Sequence, residues 1–538
     1  MVSNYPWWRD GVVYQVYLRS FADGNGDGTG DIPGLISRLP YIASLGVDAI
    51  WVNPWYTSPL NDGGYDVADY RNIHESFGTL EDAKLLFTEA RDKGLRVLVD
   101  LVPNHTSSEH PWFRAALDSP PGSLERGRYH FVPGRGGGGV EPPNDWKSVF
   151  GGPAWTRVAD GQWYLHLFDV TQPDLNWSNR EVRAEFIEIL RFWLDLGASG
   201  FRVDVAHALV KKEGYPDVGE DTEELLATPD REDHPTWDRP ELHEIVQEWR
   251  SVVDEYPDAV MIAEAWLPNW SRLAEYMKPG RYHQAFDFLF LRSPWQPSAM
   301  RQTIVEALQA SATVGAVPTW VLSNHDVVRH ATRYGLPPDV RVRNWVLDGD
   351  RSLLDPETGL RRARAAAVLM LALPGSAYLY QGEELGLPEV YDLPEAVLDD
   401  PVWERSGRKE KGRDGCRVPI PWRTTGLSFG FGDDGSWLPQ PPGWGELSVE
   451  SQDGAPGSTL ELYRGAIAAR ARHLGGDERL EWQTVEGDVL AFRRGDSVMC
   501  LVNMGATPVP SPEGKVVLAS GPLRDDQVPP DTAIWVVD

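Results

Sequence analysis

Short apolar runs alternate along the chain with longer segments in which apolar residues recur at helical spacing. Strands of a parallel sheet are buried on both faces, so they read as continuous apolar runs. Eight such runs, each followed by a helix-like segment, predict an α/β fold of the (β/α)₈ TIM barrel type, although a doubly wound sheet would show a similar rhythm. The predicted strands span residues 12–17, 49–52, 97–102, 201–205, 260–263, 286–290, 319–322 and 377–380, and helical periodicity is clear at 80–93, 180–196, 240–254, 300–311 and 360–373.

Polar residues gather at the C-terminal ends of these runs, which favours the barrel over the doubly wound sheet. In a barrel those ends surround a single mouth, and active sites of such barrels lie there. The sequence therefore predicts one site at that mouth. The polar residues are Asn53, 100–105, Asp204, Glu264 and 324–326.

Two long irregular stretches interrupt the alternation. The segment after the third strand contains GRGGGG (134–139) and is too long for an ordinary connection, so we expect a small inserted lobe. A second irregular stretch, 387–440, follows the eighth run. Beyond residue 472 short alternating strands indicate a terminal antiparallel β-sandwich. The expected domains are the barrel at 1–104 and 171–471, the inserted lobe at 105–170 and the C-terminal β-domain at 472–538.

Composition narrows the class of protein. Among 538 residues, 80 Asp and Glu outnumber 51 Lys and Arg, and the resulting net charge of −29 disfavours a nucleic-acid partner. No apolar run is long enough to span a membrane, and the N-terminal residues show no signal-peptide pattern. We therefore expect a cytoplasmic protein with neither nucleic acid nor membrane as partner. The sequence leaves the oligomeric state open.

Three carboxylates end three predicted strands: Asp204, Glu264 and Asp326. Carboxylates that converge at a barrel mouth suit glycoside hydrolysis, in which one attacks the anomeric carbon and another protonates the leaving oxygen. Arg202 lies two residues before Asp204, hence on the same face of the strand, where it would keep Asp204 ionised. The alternative is that these acids are solvated loop residues.

The chain resembles the α-amylase family of glycoside hydrolases, in its α-glucosidase and oligo-1,6-glucosidase branch. The matching motifs stand in the family's order, and the resemblance runs from about residue 5 to residue 470. One motif, QPDLNW at 172–177, is the version found in oligosaccharide-cleaving glucosidases. The others are DLVPNH (100–105), GFRVD (200–204), AEAW around Glu264, SNHD (323–326) and QGEELG (381–386).

The resemblance implies a role for each matching residue. Asp204 would be the nucleophile that forms a covalent glucosyl-enzyme, and Glu264 the general acid that then becomes the base. Asp326 would bind ring hydroxyls and favour the distorted sugar, while His105 and His325 would hydrogen-bond glucose hydroxyls. Two carboxyl groups about 5–5.5 Å apart would give retention of configuration. No cofactor is expected to take part in catalysis.

The resemblance also implies a pocket closed around a terminal sugar, and hence exo-action on short oligosaccharides. Asp62 would clasp the non-reducing-end sugar and Tyr65 would stack on it. Arg413 would close the pocket with Asp62, and Arg417 would lie toward the leaving sugar, although a solvated loop charge is an alternative for both arginines. Phe168 and Gln172 match the pocket wall.

A candidate metal loop lies near the N-terminus in DGNGDGTGD (23–31). Asp23, Asn25 and Asp27 alternate oxygen ligands with glycines, which suits Ca²⁺ or Mg²⁺. The twelfth position is Gly34 rather than Glu, so a complete EF-hand is excluded. The resemblance implies a structural cation, with Ca²⁺ the first expectation, held by Asp23, Asn25, Asp27, the Thr29 carbonyl and Asp31.

The sequence leaves two kinds of alternative open. Within the same chemistry, we favour a maltase, but Val205 after the proposed nucleophile tends to accompany α-1,6 cleavage in this branch. The following residues, Ala206 and His207, depart from that pattern. Sucrose- or trehalose-active relatives and transglucosylation share the same residues. The other alternative is a catalytically silent scaffold homologue, although Asp204, Glu264 and Asp326 are all retained.

Overall fold

Eight parallel strands close into a barrel in the computed structural model, which describes residues 6–219, 233–496 and 498–538. The first strand pairs with both the second and the eighth, and this closes the ring. The predicted barrel is therefore confirmed. The strands are β1 (Val12–Val16), β2 (Ala49–Val52), β3 (Arg96–Leu101), β4 (Gly200–Val203), β5 (Val260–Ala263), β6 (Gln284–Asp287), β7 (Thr319–Val321) and β8 (Ser376–Tyr380).

The barrel strands are buried along their lengths, apart from the partly exposed first residue of β3. The sixth strand differs most from its predicted boundaries. The run 286–290 was expected to be strand, but β6 ends at Asp287 and Phe288–Leu291 forms a helical turn. The Asp287 carboxylate accepts the backbone N–H of Phe290 at 3.0 Å, and this cap starts the turn.

A helix follows each barrel strand and covers the outside of the barrel. Side-chain caps fix several of their starts: Thr79 and Asp82 form a capping box at the helix Leu80–Asp92, and Asp31 caps the helix Ile32–Leu45. The helices are α1 (Ile32–Leu45), α2 (Leu80–Asp92), α3 (Arg180–Leu196), α4 (Leu242–Val253), α5 (Trp270–Tyr276), α6 (Pro297–Thr313), α7 (Pro356–Ala372) and α8 (Thr459–His473). Shorter helices lie at Pro111–Asp118, His330–Arg333, Val342–Asp348, Pro401–Arg405 and Val449–Gln452, and a small hairpin joins Tyr56–Thr57 to Asp69–Ile73.

The lobe between β3 and α3 contains a three-stranded antiparallel sheet, with Gln162–Leu165 between Phe131–Pro133 and Trp155–Arg157. Its apolar cluster includes Phe168 and also takes in Val205 from the barrel mouth. The lobe is therefore packed against the end of β4, where the proposed nucleophile lies.

Antiparallel strands form the C-terminal domain, as predicted. A five-stranded sheet has the spatial order Leu480–Trp482, Val489–Arg494, Val498–Asn503, Thr532–Val537 and Lys515–Ala519, and a two-stranded sheet pairs Val509–Pro510 with Gln527–Val528. The large sheet packs on α7, where the Trp535 indole donates to the Val368 carbonyl at 3.1 Å. In the part of the chain that the structure describes, no helix is long and apolar enough to cross a membrane. The strands are β9 (Leu480–Trp482), β10 (Val489–Arg494), β11 (Val498–Asn503), β12 (Val509–Pro510), β13 (Lys515–Ala519), β14 (Gln527–Val528) and β15 (Thr532–Val537).

Candidate active site

The ends of β4 and β5 bring Asp204 and Glu264 together around one guanidinium group. These strands pair in register, Arg202 opposite Ile262, so the residues just beyond them are neighbours. Arg202 Nη1 lies 2.7 Å from Asp204 Oδ1, and Nη2 lies 3.5 Å from Glu264 Oε2. Asp204 is 6% exposed and Glu264 2%. They are therefore not solvated loop acids.

A third carboxylate, Asp100 at the end of β3, anchors the other side of Arg202. Its Oδ1 lies 2.8 Å from Arg202 Nη1, and its Oδ2 accepts the Trp51 indole N–H at 3.0 Å and the Tyr65 hydroxyl at 3.1 Å. A buried charge with several fixed partners cannot reorient without losing them. Arg202 is therefore held where it faces Asp204 and Glu264.

Burial is the largest influence on the pKa values of Asp204 and Glu264. It raises the pKa of Asp204 well above its usual range, opposed by Arg202 and reinforced by Glu264. Burial also raises the pKa of Glu264, with a further contribution from Asp326. Arg202 thus does not bring the pKa of Asp204 below its usual range, because burial outweighs it. Arg202 lies 2.7 Å from Asp204 and 3.5 Å from Glu264, so it stabilises the negative charge of Asp204 more strongly than that of Glu264.

Asp326, beyond β7, is surrounded by cationic groups. Its Oδ1 lies 3.2 Å from Arg413 Nη1 and 3.1 Å from Arg417 Nη2. Although burial opposes the effect, these two arginines lower the pKa of Asp326 below its usual value. Asp326 is therefore ionised at neutral pH. Arg417 is 3% exposed along its side chain, so it is not a solvated loop charge.

The two histidines are neutral hydrogen-bonding groups. Burial lowers the pKa of His105 to about 4 and that of His325 well below its usual value. His325 lies 2.8 Å from the Gln15 amide through Nδ1 and 2.7 Å from the Tyr65 hydroxyl through Nε2, and its ring stacks on Tyr65. The ring plane is thus fixed before any ligand binds.

Asp62 and Arg413 form the closed end of the site. Arg413 Nη2 lies 2.6 Å from Asp62 Oδ1, and the Gln172 amide donates to Asp62 Oδ2 at 3.0 Å. Gln172 also lies 3.1 Å from His105 Nε2, against whose ring Phe168 packs with centroids 5.1 Å apart. The structure therefore brings every residue proposed for catalysis or sugar binding to one mouth.

Several residues of this site were given no role from the sequence. Gln15 in β1 bonds both Asn53, at 3.0 Å, and His325. Trp51 in β2 holds Asp100, and Asp400 holds Arg413 at 2.5 Å. Gln15 offers the only usable signal, a polar residue inside an apolar run. Asp400 lies in an irregular segment whose sequence has no periodicity to mark it.

The candidate metal loop lies against the second irregular stretch. Asp23 donates its backbone N–H to the Phe431 carbonyl at 2.8 Å, and its carboxylate accepts loop amides, including that of Gly26 at 2.6 Å. Asp31 caps α1 through the Gly34 N–H at 2.6 Å. In the described ranges no three acidic, histidine or cysteine side chains already form a metal-binding cluster. Burial raises the pKa of Asp31, and the charges of Asp23 and Asp27 raise it further, a repulsion that a cation would relieve.

Comparisons with known proteins agree with this architecture. A family model described as the alpha amylase catalytic domain matches residues 15–475. A probable alpha-glucosidase of Rhizobium meliloti (strain 1021) is 36% identical over 524 residues, covering 93% of this chain and 89% of that protein. An oligo-1,6-glucosidase of Parageobacillus thermoglucosidasius is 34% identical over 502 residues, covering 87% and 84%. The crystal structure of an alpha-glucosyl transfer enzyme matches with a TM-score of 0.85 at 33% identity, over 99% of this chain and 100% of that chain.

The chain therefore belongs to the alpha-amylase family of glycoside hydrolases, in its alpha-glucosidase and oligo-1,6-glucosidase branch. It is a glycoside hydrolase of the alpha-glucosidase type that acts on glucosides. The predicted family is confirmed, and the catalytically silent alternative is set aside.

Proposed function

We propose that the protein is an exo-acting, retaining α-glucosidase, a maltase that releases terminal α-1,4-linked glucose from maltose and short malto-oligosaccharides. One observation supports exo-action above all. Arg413 bridges Asp62 and Asp326, with Nη2 2.6 Å from one carboxylate and Nη1 3.2 Å from the other. A chain that continued past the bound sugar would meet this ion pair, so only a terminal glucosyl unit fits.

In the proposed reaction, Glu264 gives its proton to the glycosidic oxygen while Asp204 forms a bond to the anomeric carbon. The leaving sugar departs with that proton and a glucosyl ester remains on Asp204. Glu264, now ionised, accepts a proton from water as the water oxygen attacks the anomeric carbon, and the ester bond breaks. Two inversions give net retention, so the first product is the α-anomer.

The surroundings of Glu264 fit a group that alternates between acid and base. Its Oε2 accepts the Val205 backbone N–H at 2.6 Å and its Oε1 accepts the Trp266 indole N–H. These donors fix the carboxyl group in one orientation, and they can stabilise the carboxylate once the proton has left. Arg202 Nη2, at 3.5 Å, lies close enough to offset part of the developing charge.

A comparison of disaccharides tests the linkage preference. We expect kcat/KM for maltose to exceed that for isomaltose by at least about tenfold, with α-glucose appearing first. Released glucose is measured with maltose, isomaltose, sucrose and trehalose, and the Asp204→Asn variant reports any contaminating activity. Faster isomaltose cleavage would overturn the maltase assignment and support an oligo-1,6-glucosidase. Sugar products longer than the substrate would show transglucosylation.

One observation favours the oligo-1,6 alternative. Val205 is buried and its backbone touches Glu264, so this side chain lies beside the group that protonates the leaving sugar. A relative named oligo-1,6-glucosidase and a matching structure named alpha-glucosyl transfer enzyme support the same alternative and transfer to a sugar acceptor.

We also propose that the loop 23–31 binds a structural Ca²⁺, or Mg²⁺, through Asp23, Asn25, Asp27, the Thr29 carbonyl and Asp31. Hard oxygen ligands of this kind suit both ions. The loop is hydrogen-bonded to the irregular stretch 387–440 at two points. The Asp23 backbone N–H donates to the Phe431 carbonyl at 2.8 Å, and the Trp437 backbone N–H donates to the Gly28 carbonyl at 2.9 Å. A cation here would stabilise the segment that carries Arg413, and it would take no part in the chemistry.

Chelation tests the metal proposal. EDTA should lower the Tm by several degrees, and added Ca²⁺ should restore it, because a ligand that binds only the folded state stabilises it. The exposed Asp27 allows a test by substitution: Asp27→Ala, which removes the ligand oxygens, should abolish the response to EDTA while kcat well below the Tm stays unchanged. An identical Tm with EDTA, with Ca²⁺ and with neither would rule the site out.

A further inference from the structure

Asp400 lies behind the closed end of the site. Its side chain is fully buried, and it contacts Arg413 more extensively than either active-site carboxylate does. Asp400 Oδ2 accepts the Arg413 Nε–H at 2.5 Å and the Arg413 backbone N–H at 2.8 Å, and Oδ1 lies 3.2 Å from Nη2. Asp62 and Asp326 each take a single contact from the same guanidinium group.

The surrounding chain fixes Asp400 in turn. The Asp414 carboxylate accepts the backbone N–H of Asp399 at 2.7 Å and of Asp400 at 3.1 Å. Gly412 packs so closely that a Cβ there would lie 2.5 Å from Asp400 Cγ, and its φ of +72° also favours glycine. Asp400 further caps the helix Pro401–Arg405 through the Val402 N–H at 3.0 Å.

We propose that Asp400 is a positioning residue that aims the Arg413 fork at Asp62 and Asp326 and thereby sets the fit of the terminal glucosyl unit. An arginine side chain has several rotatable bonds. The direction of its two terminal nitrogens, Nη1 and Nη2, is therefore fixed only when Nε of the same guanidinium group is held. Asp400 holds Nε, and this leaves Nη1 and Nη2 to face Asp326 and Asp62. The inference rests on the proposed function, in which this end of the site holds one sugar.

Charge explains why an acid is required at position 400. Arg413 keeps the pKa of Asp400 below its usual value against the effect of burial, so the contact is a charged pair. Asparagine has nearly the same shape and still caps the helix, but its amide offers one acceptor oxygen and no charge. Asp400→Asn therefore separates the contact with Arg413 from the helix cap.

The test compares Asp400→Asn with Asp355→Asn, a matched control. Asp355 also precedes a proline at a helix start and caps α7 through the Thr358 N–H at 3.0 Å. The measurements are kcat and KM with an aryl α-glucoside, inhibition by glucose, and the Tm. We expect Asp400→Asn to raise KM and the inhibition constant of glucose at least about tenfold, with a smaller change in kcat, because hydrogen bonds to a charged group are lost. Asp355→Asn should change neither constant.

A double variant tests whether Asp400 acts through Arg413. If it does, adding Asp400→Asn to Arg413→Ala should not raise KM further than Arg413→Ala does alone. Arg413→Lys replaces Arg413→Ala if the latter fails to fold, since lysine keeps the charge but lacks the fork. Additive effects, or a folded Asp400→Asn protein with unchanged KM and glucose inhibition, would overturn the proposal. So would a lower Tm with equal losses in kcat for all substrates, which indicates a structural role.

The outcome is separable from that of the proposed function. The linkage preference is measured on the parent protein with disaccharides. The role of Asp400 is measured as the ratio of variant to parent KM for an aryl glucoside and of variant to parent inhibition constant for glucose. Neither compound contains a bond between two sugars. A parent protein that prefers isomaltose would refute the maltase assignment and leave the role of Asp400 to be decided by the same ratio.

Discussion

Replacing Asp204 with asparagine is expected to lower kcat with maltose by about 10⁴-fold or more, because the amide cannot form the glucosyl ester. The fold should survive. Arg202 keeps its 2.8 Å contact with Asp100 and its approach to Glu264, so no buried charge is left without a partner. Kinetics and the Tm are measured on the same preparation, and a Tm close to that of the parent would show that the loss is chemical.

Asp287→Asn is the matched control. Asp287 is also a buried acid at the end of a barrel strand, but its carboxylate bonds the Phe290 N–H and, at 3.1 Å, the Trp270 indole. Its substitution should leave kcat within a few-fold of the parent value. Asp204→Ala adds a second test, since azide can enter the vacated space and attack directly. A single inversion would give the β-glucosyl azide, and an α product would contradict the assignment of Asp204 as nucleophile.

The barrel could be predicted from the sequence because its strands are buried on both faces. Such strands are apolar throughout, and the observed boundaries lie within a few residues of the predicted ones. The sixth strand shows where this signal fails. The apolar run continues through Phe288 to Phe290, but the Asp287 cap starts a helical turn there, and hydrophobicity alone does not reveal a cap.

The site was predictable where a residue directly follows a strand, as Asp204 and Glu264 do. Contacts between distant parts of the chain could not be predicted from the sequence. Gln15 is 310 positions from His325, and only the closed barrel brings them together. Asp400 is 13 positions from Arg413, but no periodicity orders that segment, so its contact depends on the packing of Gly412 and Asp414.

Replacing Glu264 with glutamine should cost about 10²–10⁴-fold in kcat with maltose, because the glycosidic oxygen then leaves without a proton. An aryl glucoside with a strongly acidic phenol needs no such proton. The rate at which the variant forms the glucosyl ester from this substrate should therefore be close to that of the parent. The glucosyl ester on Asp204 should then accumulate, since no base activates water. A burst of phenol followed by slow turnover, with a glucosyl adduct in the mass of the protein, would report this directly.

Glu264 also accounts for the expected pH profile. The parent protein should lose activity at low pH as Asp204 becomes protonated, and at high pH as Glu264 loses its proton. Burial raises the pKa of both groups, so both limbs should lie above the usual carboxylate range. With maltose, whose leaving sugar needs the proton, Glu264→Gln should remove the high-pH limb of the residual activity and keep the low-pH limb. Azide should accelerate its turnover and give the α-glucosyl azide, because Asp204 still performs the first inversion. A high-pH limb that persists in Glu264→Gln would assign the proton donor to another residue, and a β product would contradict the first inversion by Asp204.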